Sequence, residues 1–356
     1  MNIVIGMSGG VDSSVAALLL KQQGHDVSGV FMVNWDEDDE FCTARQDYQD
    51  AIAVAEQIGI PLEKANFSKE YWDGVFENFL AEYSKGRTPN PDILCNKEVK
   101  FKAFLDYACD LGCDAVATGH YASTDIVSGR THLTRAIDQN KDQTYFLHAI
   151  DRSVLDQVVF PLGQLPKPEV RRIASEHGLH VHSKSDSTGI CFIGERNFRE
   201  FLSKYLPSKP GEIRTLEGHL IGQHPGLIYY TLGQRKGLGI GGVKGYPEAP
   251  WFVVGKALES NTLVVTQGTD HESLYSCGLQ TDQFNWLADC PNSVFRCSAK
   301  TRYREPDQDC EVTLLPTGGV TVNFDKPVRA VTPGQSIVLY QDQICLGGGV
   351  IERVTK

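Results

Sequence analysis

The stretch IVIGMSGGVDSSVAALLL, residues 3–20, leaves this chain few ways to begin folding. Ile3, Val4 and Ile5 form a short β-branched run that reads as a buried parallel strand. From Ser13 onward Val15, Ala16, Leu18, Leu19 and Leu20 supply the apolar face of a helix. A strand that turns through glycines into a helix leaves backbone N–H groups free beside the positive end of the helix dipole, which is an anion site. A Walker loop would need Gly-Lys-Ser/Thr and a dinucleotide fingerprint G-x-G-x-x-G, and SGGVDSS is neither. The plainer reading is a strand-to-helix turn with Ser13 as N-cap.

The first half continues to alternate strand and helix. DVSGVFMV is a second strand, ARQDYQDAIAVAEQIG a helix closed by Gly59, PLEKANF a third strand and CDAVATGH a further strand ending in Gly119 and His120. Such alternation predicts an α/β fold with a parallel, doubly wound sheet, whose ligand belongs at the carboxyl ends of the strands. Beyond about Tyr205 glycine and proline become frequent, and short alternating runs such as WFVVGKAL, NTLVVTQG, CEVTLL, GVTVNF and QSIVLY follow. They predict a small linking domain and then a β-barrel or sandwich. The expected units are 1–204, 205–273 and 274–356, and a chain cut before Cys277 is expected to leave a soluble nucleotide-binding fragment.

With 356 residues, 41% apolar, and no run long enough to span a bilayer, a soluble chain of two or three domains with no membrane association is expected. The first residues enter a strand directly, so no signal peptide and a cytoplasmic location are expected. The ten cysteines are scattered and contain no C-x-x-C pair, which speaks against a disulfide scaffold and a structural zinc site. Cys109 and Cys113, one helical turn apart, are expected to be buried as small hydrophobes. A net charge of −11 excludes a protein coated with nucleic-acid contacts, though not a local basic groove. The acidic run WDEDDEFC (35–42) reads most simply as a solvated loop.

The loop from Ser8 to Ser14 resembles the pyrophosphate loop of the N-type ATP pyrophosphatases, which split ATP into AMP and pyrophosphate while adenylating a carbonyl oxygen. Together SGGVDSS, TPNPDILCNKEVKF, TGHYA, KDQTYFL, STGICFIGER, YTLGQRKGLGIGG and TPGQSIVLY are similar, in order and across nearly the whole chain, to the bacterial tRNA-specific 2-thiouridylases (MnmA type). The resemblance implies an adenine nucleotide α-hydrolase-like N-terminal domain, a C-terminal β-barrel that contacts tRNA, and ATP-dependent sulfur transfer to C2 of the wobble uridine. It implies ATP binding by Gly6, Met7, Ser8, Gly9, Gly10, Val11, Asp12, Ser13, Ser14, Met32 and Gly119, with Asp12 helping to hold Mg²⁺. Asn90, Pro91 and Asp92 match the target-base segment, and His120, Lys141, Asp142, Gln143, Arg302, Tyr303 and Gln335 match tRNA-facing positions.

The chemistry has a residue-level rationale. A uracil C2 carbonyl is urea-like and unreactive, so exchanging its oxygen for sulfur takes activation and then a strong nucleophile. Cys191 lies in a Gly/Ser/Thr-rich loop with Lys184 and Arg196 nearby in sequence, and Cys95 lies three residues after Asp92 and two before Lys97, whose charge is expected to favour the thiolate. By resemblance Cys191 carries the persulfide supplied by an upstream donor, Cys95 closes a transient Cys95–Cys191 disulfide, and Asp92 is a general acid/base. Left to itself, Asp92 also reads as the N-cap of a helix starting near Ile93. CSAKTRYRE offers Lys300, Arg302, Arg304 and Tyr303 on a strand for phosphate contacts and stacking. Two other classes stay open: an ammonia-using amide ligase on the same loop, and a non-enzymatic RNA-binding or sulfur-carrier protein.

Overall fold

Ile3 and Ile5 turn to one side of strand β1 (Asn2–Gly6) and Val4 to the other, and both sides are buried, as a central parallel strand requires. The computed structural model describes residues 1–35, 44–186, 198–290 and 292–356. Beside β1 lie β2 (Asp26–Val33), β3 (Leu62–Asn66), β4 (Ala115–Ala117) and β7 (Val158–Val159), all parallel, in the order β3-β2-β1-β4-β7. The direction of winding reverses between β1 and β4, so the ligand crevice of a doubly wound sheet falls there. Helices α1 (Val11–Gln22), α2 (Ala44–Ile58) and Lys167–Glu176 cover the Ile3/Ile5 face. The Val4 face is covered by Phe76, Phe79, Val99, Phe101 and Phe104 from the segment between β3 and β4. Gly59, at φ +70°, ends α2 in the left-handed conformation that glycine adopts without strain.

Past the first sheet, β8 (Gly211–Thr215), β9 (Leu220–His224), β10 (Trp251–Ala257) and β11 (Thr262–Gln267) form a four-stranded sheet in the order β10-β11-β8-β9. The barrel strands are β12 (Tyr275–Gln280), β13 (Asn285–Trp286), β14 (Val294–Lys300), β15 (Gln308–Leu314), β16 (Val320–Arg329), β17 (Ser336–Gln341), β18 (Ile344–Val350) and β19 (Arg353–Thr355). Their sheet does not stop at the C-terminal unit. A hairpin of β5 (Ser123–Val127) and β6 (Arg130–Thr134), from the first half of the chain, extends it where Thr134 pairs with Ile344 of β18. Sequence alternation did not single this hairpin out, because residues 125–130 are exposed whether polar or, like Ile126 and Val127, apolar.

The first and last units also share side-chain packing. Leu287, Val338, Tyr340 and Cys345 of the barrel sit in one apolar cluster with Tyr145, Leu147 and Phe160. The buried Tyr145 hydroxyl donates to the carbonyls of Ser336 (3.0 Å) and Thr301 (3.3 Å), and Arg87 holds Glu352 through two N–H···O contacts of 2.7 and 2.9 Å. Each fully buried apolar side chain of this seam contributes about 1.5–3 kcal/mol. A chain cut before Cys277 therefore loses a face of its own core, which argues against a soluble fragment. The cysteine expectation also needs correcting: the helix Phe104–Asp110 buries Phe104, Leu105 and Ala108, which turns Cys109 to solvent and leaves Cys113 half-buried.

Among the described residues four histidines are buried, His120, His132, His148 and His224. His120 packs between Phe101 and Phe160 with its Nδ1 2.8 Å from the Thr118 hydroxyl, and His148 lies 2% exposed against Tyr145. Burial pushes His120 well below the ordinary histidine range and His148 down to about 4. A histidine whose folded pKa is depressed charges first in the unfolded chain, so stability falls as pH drops below about 6.5 and levels off near the folded value. His148 alone should cost on the order of 2 kcal/mol between pH 7 and 4.5, a loss that urea titrations should find reduced in His148→Gln. The shared seam makes a second prediction: the chain 1–276 should aggregate on expression, whereas the full chain should stay monodisperse in size-exclusion chromatography.

Candidate active site

The loop after β1 is shaped by its own hydroxyls. The Ser8 N–H donates to Ser13 Oγ (3.1 Å), and the hydroxyls of Ser13 and Ser14 donate to the Gly10 carbonyl (3.2 and 2.8 Å). Gly10, with extended backbone, occupies the N-cap position of α1, so the expected Ser13 cap is replaced by a side chain that stabilises the loop from inside. The first-turn N–H groups of α1 have no carbonyl of their own helix to bond and face the crevice. Close packing needs glycine here. A Cβ on Gly9 (φ +72°) would lie 2.1 Å from the Asp47 carbonyl oxygen, and one on Gly119 2.7 Å from the Ser13 nitrogen. A Cβ on Gly6 would lie 3.0 Å from the end of the Met32 side chain. The loop, β2 and the end of β4 thus meet in one place.

Cations reach this loop from distant segments, which its own sequence did not announce. Lys167, nearly buried at the start of its helix, bridges both carboxylate oxygens of Asp12 (2.7 and 2.8 Å) and Asp186 (2.7 Å). The Tyr121 hydroxyl donates to Asp12 at 2.8 Å. Lys141 and Arg171 also pair with Asp186. Burial alone would raise the Asp186 pKa, but the ammonium groups of Lys141 and Lys167 outweigh it and hold it down at about 2. On the other flank Lys184 donates to the Gly9 carbonyl (2.9 Å) and pairs with Asp47 and Asp50 of α2. Lys167 and Asp186 went unremarked in the sequence because single charged residues far from a motif carry no periodic or spacing signal.

A second cluster forms around residues 87–97. Asn90 Oδ1 accepts from the Asp92 N–H at 3.1 Å and Pro91 takes the first helical position, so Asn90, and not Asp92, caps the helix Pro91–Leu94. The helix continues as a π-helical stretch, Cys95–Ala103, with Phe101 off helical geometry. Asp92 and Cys95, three apart, share a side of it. Cys95 is 1% exposed, in the same apolar cluster as Ile93, Val99 and Phe101. Lys97 stands two positions on and pairs with Glu98 at 3.5 Å. A cavity of about 320 Å³ separates this segment from the barrel, bordered by Asn90, Lys97, His148 and Asn285. Cys191 and the whole loop 187–197 lie outside the described residues, as does the acidic run 36–42.

The tRNA-facing expectations divide by burial. Gln143 accepts from the Tyr121 N–H (2.8 Å), and the Tyr303 hydroxyl donates to the Lys141 carbonyl (3.4 Å), so Lys141, Gln143 and Tyr303 gather beside the Asp12 site. Asp142 is buried, accepting from the Ala136 N–H and the Thr144 hydroxyl, and burial raises its pKa. Gln335 donates to the Thr88 carbonyl (2.8 Å) and so belongs to the Asn90 cluster. Strand β14 ends at Lys300, so Arg302, Tyr303 and Arg304 lie in the following turn, a correction to their placement on a strand. Lys300 is buried near Asp307, and Arg302 donates to the carbonyls of Leu232 and Ala330, which leaves Arg304 as the exposed cation of that turn.

Comparison with known proteins agrees with this layout. The family described as tRNA methyl transferase HUP domain matches residues 1–195, the tRNA methyl transferase PRC-barrel domain 199–267, and the aminomethyltransferase beta-barrel domain 276–351. The tRNA-specific 2-thiouridylase MnmA of Marinobacter nauticus is 59% identical, over 99% of this chain and 92% of its own length. That of Francisella tularensis subsp. novicida is 59% identical over 98% of each. Among solved structures the U34-tRNA thiolase NcsA of Methanococcus maripaludis is similar at 18% identity and a TM-score of 0.36, covering 57% of this chain and 64% of that one, too distant a likeness to carry functional weight. With matches of this identity along nearly its full length, the chain belongs to the tRNA-specific 2-thiouridylase (MnmA) family.

Proposed function

We propose that the chain is an ATP-dependent tRNA-uridine 2-sulfurtransferase that exchanges the C2 oxygen of the wobble uridine for sulfur, working in the cytoplasm. The observation that carries the reading is 59% identity to tRNA-specific 2-thiouridylases along almost the whole chain. The anion-binding loop at the switch point of the sheet is its geometric counterpart. Ser8, Gly9, Gly10 and Ser13 would donate to the pyrophosphate of ATP, with Gly6, Met7, Val11, Ser14, Met32 and Gly119 around the adenosine. Lys167 would supply the ammonium that the loop itself lacks, exchanging Asp12 for phosphate oxygens. Among the described residues no group of three or more His, Cys, Asp or Glu could hold a metal ion by itself. Mg²⁺ arriving on ATP needs only one or two carboxylates, and Asp12, released by Lys167, fits that part.

In this reading the uridine O2 attacks the α-phosphate, pyrophosphate leaves, and AMP becomes the leaving group at C2. The terminal sulfur of a Cys191 persulfide, loaded by an upstream donor, attacks C2 and AMP departs. Cys95 as thiolate then attacks the Cys191 sulfur, which frees the 2-thiouridine and leaves the Cys95–Cys191 disulfide for an external thiol to reduce. Asn90, Pro91 and Asp92 would receive the uracil, Asp92 acting on protons. Lys141, Gln143, Tyr303 and Arg304 would meet the RNA, while His120, Asp142 and Arg302 would support them from within and Gln335 would support the Asn90 segment.

Asp12→Asn should lower tRNA-dependent pyrophosphate release by at least about 100-fold, the scale lost when a charge-stabilising group is removed. A wild-type rate in that variant would remove the loop from the reaction. The cysteine roles separate by mass spectrometry and turnover. Cys191→Ser should still release pyrophosphate yet carry no persulfide, and Cys95→Ser should carry the persulfide on Cys191 yet fail to turn over repeatedly. A persulfide on Cys95 in place of Cys191 would reverse the two.

A further inference from the structure

Two thiols that the proposed reaction does not use face each other in the barrel. Cys297 of β14 and Cys310 of β15 are direct partners in the antiparallel register, with Sγ atoms 3.9 Å apart. Directly opposed residues on antiparallel strands have Cα atoms about 4.5–5.5 Å apart, inside the ~4.4–6.8 Å that a disulfide spans. Closing the remaining gap to the ~2.05 Å S–S bond is a matter of side-chain rotation. The two sulfurs are not equivalent. Cys310 is fully buried, whereas Cys297 is half-buried and borders an open polar cleft of about 530 Å³ with Ser298, Asp307 and Tyr340. A hydrogen bond to Cys297, followed by burial, holds the Cys310 thiol protonated above the ordinary range. Cys297 is thus the sulfur that a small solute meets, and Cys310 the one behind it.

The position within the fold gives the pair a consequence. It sits on the stem of the β14–β15 hairpin, and the turn that this stem presents, 301–307, holds Arg302 and Tyr303 against Leu232, Ala330 and Lys141. We propose that Cys297 and Cys310 are an oxidation-closed latch on this stem, taking a two-electron oxidant of the peroxide class. The Cys297 thiolate attacks a peroxide oxygen, the O–O bond breaks, and Cys297 becomes a sulfenic acid as one water is released. The Cys310 sulfur then attacks the Cys297 sulfur and displaces the hydroxyl as a second water, so two thiols and one hydrogen peroxide give one disulfide and two waters. Closure joins residues 297 and 310 around the turn and restricts the unfolded chain there. An external thiol reopens it.

The experiment uses the full chain, reduced, freed of reductant and treated with increments of hydrogen peroxide, then alkylated and mapped by peptide mass spectrometry. The expected product is a Cys297–Cys310 cross-linked peptide pair, lighter by two hydrogens than the two free-thiol peptides. The melting temperature should rise by on the order of 5 °C. Both changes should vanish in Cys297→Ser. They should persist in Cys95→Ser, which separates the latch from the Cys95–Cys191 disulfide proposed for the reaction. Three results would overturn the latch: Cys297 and Cys310 still alkylated after Cys109 and Cys113 have oxidised, Cys297 driven to a sulfinic acid or joined elsewhere, or a cross-linked protein that melts no higher than the reduced one.

Discussion

Everything in the candidate site depends on the exposed N-terminus of α1 at the point where the winding of the parallel sheet reverses. A helix start carries N–H groups without partners and a partial positive charge, and burying it bare would be costly. Here serine hydroxyls fold the loop, glycines at 9 and 119 let neighbouring backbone come within contact distance, and the open side faces the crevice. In the proposed reaction the loop would meet its anion with donors already in place. Such preorganisation is what electrostatic catalysis requires, because donors already in place need no reorganisation as charge develops.

The receptor is completed by charge from elsewhere. Lys167, Lys141 and Arg171 converge on Asp186, and Lys167 spans from there to Asp12. A nearly buried lysine between two carboxylates is held in a defined position yet can exchange one carboxylate partner for a phosphate, since both are oxygen acceptors of the same sign. Around the loop Lys141, Lys167, Arg171 and Lys184 face Asp12, Asp47, Asp50 and Asp186, so these cations are internally neutralised unless an anion displaces a carboxylate.

The second half of the molecule serves the first by enclosing it. Residues 87–90 are tied to the barrel through Arg87–Glu352 and Gln335–Thr88, and to the linking sheet region through the Thr88 and Thr231 hydroxyls at 3.3 Å. The segment that carries Asn90, Asp92 and Cys95 is therefore positioned by three parts of the chain at once. Cys95 lies under apolar cover, so in the proposed reaction the segment would have to open for the thiol to meet a partner.

Local chemistry in the sequence determined a good deal about this protein. The β-branched run at Ile3, the glycine turn, the capping glycine at 59 and the alternating strands from Trp251 onward each depend on residues close in sequence, so the parallel sheet, the anion loop and the later β-rich half were legible there. The tertiary structure alone decided the rest. Lys167 and Asp186 meet Asp12 across more than 150 residues, the hairpin 123–134 joins a sheet made by the far end of the chain, and Cys297 finds Cys310 only through strand register. Periodicity and spacing report what a segment does with its own neighbours. Which distant charge, strand or sulfur completes a site is settled by packing, when the buried faces of separate segments are forced to share one core.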